Sequence, residues 1–222
     1  MNESQNYICR LRKLDCCTVS DALDHLKLAG VVSGVPQRSG SGLVAGIVIT
    51  VKLGSKAADK GSSKPRHLGT TAIELGGPDN VIVIEQHTGI EAGSWGGLLT
   101  LGAKLRGING VIADGPVRDI DEARALEFPV FAKSLTARTA RGRIVEEATN
   151  VPILVWDRKV DPGDYVIADN SSVIFISCSN IEKVLEQAEA IASREAAMAK
   201  SIREGTPISE VMGGSYENML KS

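Results

Sequence analysis

Hydrophobic positions recur along the chain with two periods, and the switches between them outline a mixed α/β fold. Between Thr18 and His25, Val19, Leu23 and the following Leu26 fall at helical spacing behind a Thr or Ser cap. Ile47 to Leu53 is a β-rich run, and Leu68 to Leu75 reads as a helix ended by Gly76-Gly77-Pro78. Val81-Ile-Val-Ile84 is a continuous apolar stretch of the kind found in a strand buried on both faces. A glycine-rich turn, Gly93-Ser-Trp-Gly-Gly97, then enters a helical segment from Leu98 to Arg106, closed by Gly107. Val111-Ile-Ala113 is a short strand that stops at Asp114-Gly115-Pro116. Ile120 to Glu127 is a short helix, and Phe128 to Ser134 a strand with Pro129 near its start, where the ladder loses least. From Ile153 to Ile176 strands alternate with turns, as in hairpins or meanders. Residues 181–204 form the longest helix, with Val184, Ala188, Ile191, Met198 and Ile202 along one face and Glu195 interrupting it.

Composition narrows the class. The 222 residues fit one domain over 1–205 with a polar tail over 206–222, and 43% hydrophobic content supports a sizeable core. A net charge of −2 and 4% aromatic residues argue against a dedicated nucleic-acid binder. Cys9, Cys16, Cys17 and Cys178 show no metal-ligand spacing, and the adjacent Cys16-Cys17 reads as small core residues. Residues 1–15 lack the apolar segment of a signal peptide, and no run approaches the ~18 apolar residues of a membrane span, so a cytoplasmic protein with no membrane partner is expected. The glycines of Ser39-Gly-Ser-Gly-Leu-Val-Ala-Gly46 lead into a strand rather than a helix, which disfavours a nucleotide or S-adenosylmethionine site.

The chemistry concentrates between Gly93 and Asp119. The N–H groups at the start of the helix after Gly96-Gly97 form a natural seat for a carboxylate. Arg118-Asp119 pairs a planar cation with a hard oxygen ligand, able to hold a carbonyl oxygen and a divalent metal. Plainer readings exist: Gly96-Gly97 as a tight turn, and Asp119 to Glu122 as a capping box. Two further segments carry positive charge. Residues 54–67, with Lys56, Lys60, Lys64, Arg66 and His67, read as a surface loop or as a flap over an anionic substrate. Arg138, Arg141 and Arg143 read as solvated charges or as a hold on the far end of a polyanion.

The block GSWGGLLTLGAKLRGINGVIADGPVRDIDEARALEFPVFAKS resembles the signature of the RraA-like proteins, which include the 4-hydroxy-4-methyl-2-oxoglutarate aldolases. The similarity extends more thinly from TVSDALDHL to VDPGDYVIADNSSVIFI. It implies a compact, layered β/β/α fold of the swivelling-domain type, assembled as a homotrimer, or a hexamer of paired trimers, with sites between subunits. It implies a lyase that cleaves a 4-hydroxy-2-oxo acid by retro-aldol chemistry to release pyruvate, with oxaloacetate decarboxylation as a side activity. By the resemblance, Asp119 holds Mg²⁺ or Mn²⁺ with water completing the shell, and Arg118 faces the pyruvyl carbonyl oxygen. The backbone amides of Gly96, Gly97, Leu98 and Leu99 hold the substrate carboxylate. The chain departs from the aldolases in two places. Gly97 stands where they usually carry an aspartate, and Met198 where an acid of the C-terminal helix would reach a neighbouring subunit, with Glu195 one turn away. The alternative function is a non-catalytic protein that regulates a ribonuclease by binding it; the presence of both Arg118 and Asp119 favours the lyase.

Overall fold

A computed structural model of the chain describes residues 2–56 and 67–213. Among these residues the framework is a nine-stranded mixed sheet. The long strand β3 (Val44–Ser55) and strands β4 (Asn80–Glu85), β5 (Gly110–Val117) and β6 (Val130–Leu135) run parallel in that order. On the other side of β3, β10 (Tyr165–Ala168) and β11 (Val173–Ile176) add antiparallel, and β1 (Val31–Val32) finishes that edge. Strand β2 (Gln37–Ser39) finishes the opposite edge against β6. Strand β7 (Ile144–Thr149) pairs with the end of β3, while β8 (Ile153–Val155) and β9 (Arg158–Val160) form a separate hairpin.

The sheet cannot be flat. β1 and β2 lie at opposite ends of the strand order, yet residues 33–36 alone connect them. Such a link reaches about 18 Å at most, whereas eight flat strands would hold the edges about 34 Å apart. The alternation of side chains shows how the sheet curls. Val44, Val48, Val81, Val83, Ile112, Phe131, Val166 and Phe175 face inward and pack together with the β8–β9 hairpin. The outward-facing positions divide between two groups of helices. Helices α1 (Glu3–Leu11), α2 (Cys16–His25) and α6 (Ile181–Arg203) cover Ala45, Tyr165, Ile167, Ile174 and Ile176. Helices α3 (Thr70–Leu75), α4 (Gly97–Leu105) and α5 (Ile120–Ala125) cover Val51, Leu53, Ile82, Ile84, Val111 and Ala113.

Several expectations need correction. Helices lie over both halves of the folded-over sheet. Helix α2 is capped by Asp15, whose side chain accepts the N–H of Thr18, and not by a Thr or Ser. Cys16 is buried, but Cys17 is exposed. Strand β5 does not stop at Asp114-Gly115-Pro116; its pairing with β6 slips between Ala113 and Pro116 and resumes to Val117. The buried face of α6 ends at Ile191, so Met198 and Ile202 are not part of the core. A short helix α7 (Ile208–Val211) follows within the stretch read as a tail, and residues 214–222 lie outside the described residues.

Candidate active site

Helix α4 and the β5–α5 connection meet at a cavity of about 230 Å³. Its walls include Gly96, Gly97, Leu98, Leu99, Arg118 and Asp119, so the structure brings together every residue singled out for the site. His67 from the basic loop and Arg141 from the arginine cluster also line it. The other members of the cluster turn elsewhere: Arg138 pairs with Glu91 at 3.3 Å, and Arg143 donates to the Thr139 carbonyl. Lys60, Lys64 and Arg66 lie outside the described residues.

The loop before α4 is held from both sides. Ser94 donates its N–H and its hydroxyl to the Pro116 carbonyl, and Arg118 N–H donates to Trp95 O. Trp95 is buried, and its Nε1–H donates to Thr100 Oγ1 at 2.9 Å; that hydroxyl in turn donates to Gly96 O. The glycines serve close approach. A Cβ at Gly93 would lie 2.9 Å from Arg118 Cγ, and one at Gly96 would lie 2.9 Å from Asp119 Oδ2. The arginine stem therefore lies along the glycine backbone and delivers its guanidinium to the cavity.

Asp119 adopts a left-handed backbone, φ 55° and ψ 38°, which is uncommon for a residue with a side chain and concentrates at functional positions. That backbone aims its carboxylate away from its own helix. It makes no capping bond to α5; Oδ2 accepts the N–H of Gly97 at 3.1 Å, and Oδ1 accepts Arg118 Nε–H at 3.1 Å. The capping-box reading of Asp119 is overturned. The Gly97 amide expected to hold substrate is likewise taken by Asp119, which leaves the N–H groups of Leu98 and Leu99 without a backbone acceptor among the described residues. The terminal nitrogens of Arg118 have no acceptor among the described residues either. Arg118 and Asp119 are part-exposed, at 36% and 30% of their side chains.

Glu122, the last residue of the capping-box reading, is exposed and does not line the cavity, but the end of its side chain lies over Gly97. A Cβ at position 97 would overlap its Oε2, so its carboxylate fills the space that a side chain at position 97 would occupy. Glu195 lies near Asp21 and Asp15, away from the cavity walls. Burial first, then the charges of Asp21 and Asp15, raise its carboxyl above the ordinary value, and it makes no bond to Arg118 or Asp119.

The donor set fits a hard divalent cation. Asp119 offers a carboxylate oxygen on the cavity wall, and no group of three or more His, Cys, Asp or Glu side chains suited to a metal occurs among the described residues. Mg²⁺ and Mn²⁺ are held in this way, by one or two carboxylates with water and substrate oxygens.

The RraA-like family model, described as Aldolase/RraA, matches residues 16–175. The chain belongs to the RraA-like family. Relatives carry several names. A "Putative 4-hydroxy-4-methyl-2-oxoglutarate aldolase" of Halalkalibacterium halodurans is 28% identical over 184 residues, 83% of this chain and 82% of that protein. The uncharacterized protein MJ0644 of Methanocaldococcus jannaschii is 34% identical over 122 residues, 55% of this chain and 58% of its own length. Protein DlpA of Legionella pneumophila is 25% identical over 92% of this chain, which spans only 33% of DlpA. Among solved structures, an uncharacterized protein of Pseudomonas syringae superposes with a TM-score of 0.83 at 24% identity, covering 96% of this chain and all of that one. Streptomyces coelicolor RraAS2, described as an unusual member of the RNase ES inhibitor RraA protein family, gives 0.75 at 20% identity over 88% of this chain and 96% of its own. These structures establish the RraA-like fold.

Proposed function

We propose that this RraA-like chain is a divalent-cation-dependent carbon–carbon lyase that cleaves a 4-hydroxy-2-oxo acid and releases pyruvate. The observation that carries this reading is the convergence of Arg118, Asp119 and the open first turn of α4 on one cavity. Retro-aldol cleavage breaks the C3–C4 bond. The electron pair moves toward the 2-oxo group, the C4 hydroxyl gives up its proton to become a carbonyl, and the enolate takes a proton at C3 to become pyruvate. The enzyme must therefore stabilise negative charge on one oxygen. Asp119 would hold Mg²⁺ or Mn²⁺, which would supply Lewis acidity there when bound. Arg118 donates to the same oxygen from its terminal nitrogens, an interaction that strengthens as the charge develops. The N–H groups of Leu98 and Leu99 receive the adjacent carboxylate, at the positive end of the helix. Oxaloacetate decarboxylation leaves the same enolate, so it is expected as a second activity.

The same reading includes a homotrimer. Leu98, Leu101 and Leu105 leave an apolar stripe on α4, with Leu98 84% exposed beside the cavity. A neighbouring subunit covering this stripe would also wall the cavity.

The test is pyruvate release across 4-hydroxy-2-oxo acids and oxaloacetate, with Mg²⁺ or Mn²⁺ and after removal with EDTA. Cation-dependent release from at least one substrate is expected. Absence of release from all, together with binding to a ribonuclease, would favour the inhibitor role named for RraAS2.

A further inference from the structure

We infer that the preferred substrate is a 4-hydroxy-2-oxo acid whose C4 carries a chain of several atoms ending in an anionic group, a carboxylate or a phosphate, and that Arg141 receives that group. The inference rests on the lyase reading above and extends it to the half of the substrate beyond C4.

Three observations support it. First, the cavity has an extension. A second cavity of about 320 Å³ shares His67, Leu68, Thr139, Ala140 and Arg141 with the first. Neither Arg118, Asp119 nor any residue from Gly96 to Leu99 lines it, so it opens on the wall away from the groups assigned to the pyruvyl half. Small-molecule sites usually enclose roughly 300–1,000 Å³. The first cavity, about 230 Å³, falls short of that range, and the two joined fall within it. A short C4 substituent would leave the larger chamber unused. Second, the extension is lined by Lys56 and Arg141 and by no Asp or Glu among the described residues, so its charge suits an anion. Third, Arg141 differs from its neighbours in the cluster. Arg138 pairs with Glu91 and Arg143 donates to the Thr139 carbonyl, while the Arg141 guanidinium meets no acceptor among the described residues. The turn that presents it is held in place: Ala140 O accepts the N–H groups of Arg143 and Ile144, and Arg141 N–H donates to Thr139 Oγ1. The same loop is tied to the start of the catalytic loop, where Gly93 N–H donates to Arg138 O. A guanidinium in this position can bind a carboxylate or a phosphate through paired donors.

The test is kcat/KM for pyruvate release by the full chain at saturating Mg²⁺, over a series of 4-hydroxy-2-oxo acids. One member carries a carboxylate directly on C4. The others carry a two- or three-carbon chain on C4 that ends in a carboxylate, a phosphate ester or an uncharged amide. At least one anionic chain is expected to exceed the amide of equal length by about 10-fold or more, as a charge-assisted hydrogen bond allows, and to exceed the acid with its carboxylate on C4. Comparing the carboxylate and phosphate members identifies the group. Arg141→Gln should abolish most of that preference and Arg141→Glu should reverse it, with circular dichroism confirming that both fold. Arg138→Gln, which alters an arginine turned toward Glu91, should keep it. Cleavage that is indifferent to the charge at the end of the chain would overturn the inference and leave the lyase reading standing. Faster cleavage of the acid with its carboxylate on C4, or a preference retained in both folded Arg141 variants, would do the same. No pyruvate from any member or from oxaloacetate would remove the lyase reading and this inference together.

Discussion

Asp119 shows most clearly how one residue's conformation decides between roles. The sequence around it supports a helix cap, and an Asp three residues before a Glu is the ordinary signature of one. The left-handed backbone turns the carboxylate across to α4 and Arg118 instead, a choice made by tertiary packing that no local pattern records. The Arg118-Asp119 pair was legible because a planar cation beside an acid is chemically specific; which way its carboxylate turns was not, because that depends on how α4 and α5 meet. The guanidinium's fork predicts the outcome of a conservative change. Arg118→Lys is expected to lower the rate more than ~10-fold and to weaken oxalate, a mimic of the enolate, because a point charge cannot reproduce planar hydrogen bonding. Unchanged rate and oxalate affinity would remove Arg118 from the site.

At the scale of elements, local punctuation was readable and long-range pairing was not. Gly107 closes α4 in the left-handed conformation, φ 77°, as its place after the apolar run implies. The parallel strands β4 and β6 stand close to where their apolar runs place them. Strand β2 was missed because it has three residues and takes its partner, β6, from elsewhere in the fold; β9, Arg158–Val160, pairs with neighbouring β8 but carries a single apolar residue and so leaves no strand pattern. The loop before α4 is fixed by the Trp95–Thr100–Gly96 relay, which sequence alone does not disclose. Thr100→Val keeps the shape but leaves the buried Trp95 N–H without its acceptor. It is expected to cost about 1–3 kcal/mol in denaturant unfolding and to weaken oxalate as the α4 start loosens. Unaltered stability would show that the relay does not fix the loop.

For the whole molecule, one curled sheet carries helices over both of its halves, and the cavity lies between α4 and the β5–α5 connection. The exposed leucines of α4 and the uncovered end of α6 are surfaces that the chain does not bury itself. Light scattering of the purified chain is therefore expected to give a trimer mass or a multiple of it. A Leu101→Glu/Leu105→Glu variant should shift it toward monomer and lower activity; a parent that stays monomeric would overturn the trimer proposal. The central claim is cation-assisted cleavage at Arg118 and Asp119. Its most direct measurement compares pyruvate formation by the parent and by Asp119→Asn over a range of Mg²⁺ concentrations. Asparagine tolerates the left-handed backbone and can still accept the Gly97 N–H, so the variant should stay folded. The account predicts saturable, Mg²⁺-dependent pyruvate formation by the parent and none above background by the variant; equal rates, or a parent rate indifferent to Mg²⁺ and EDTA, would contradict it.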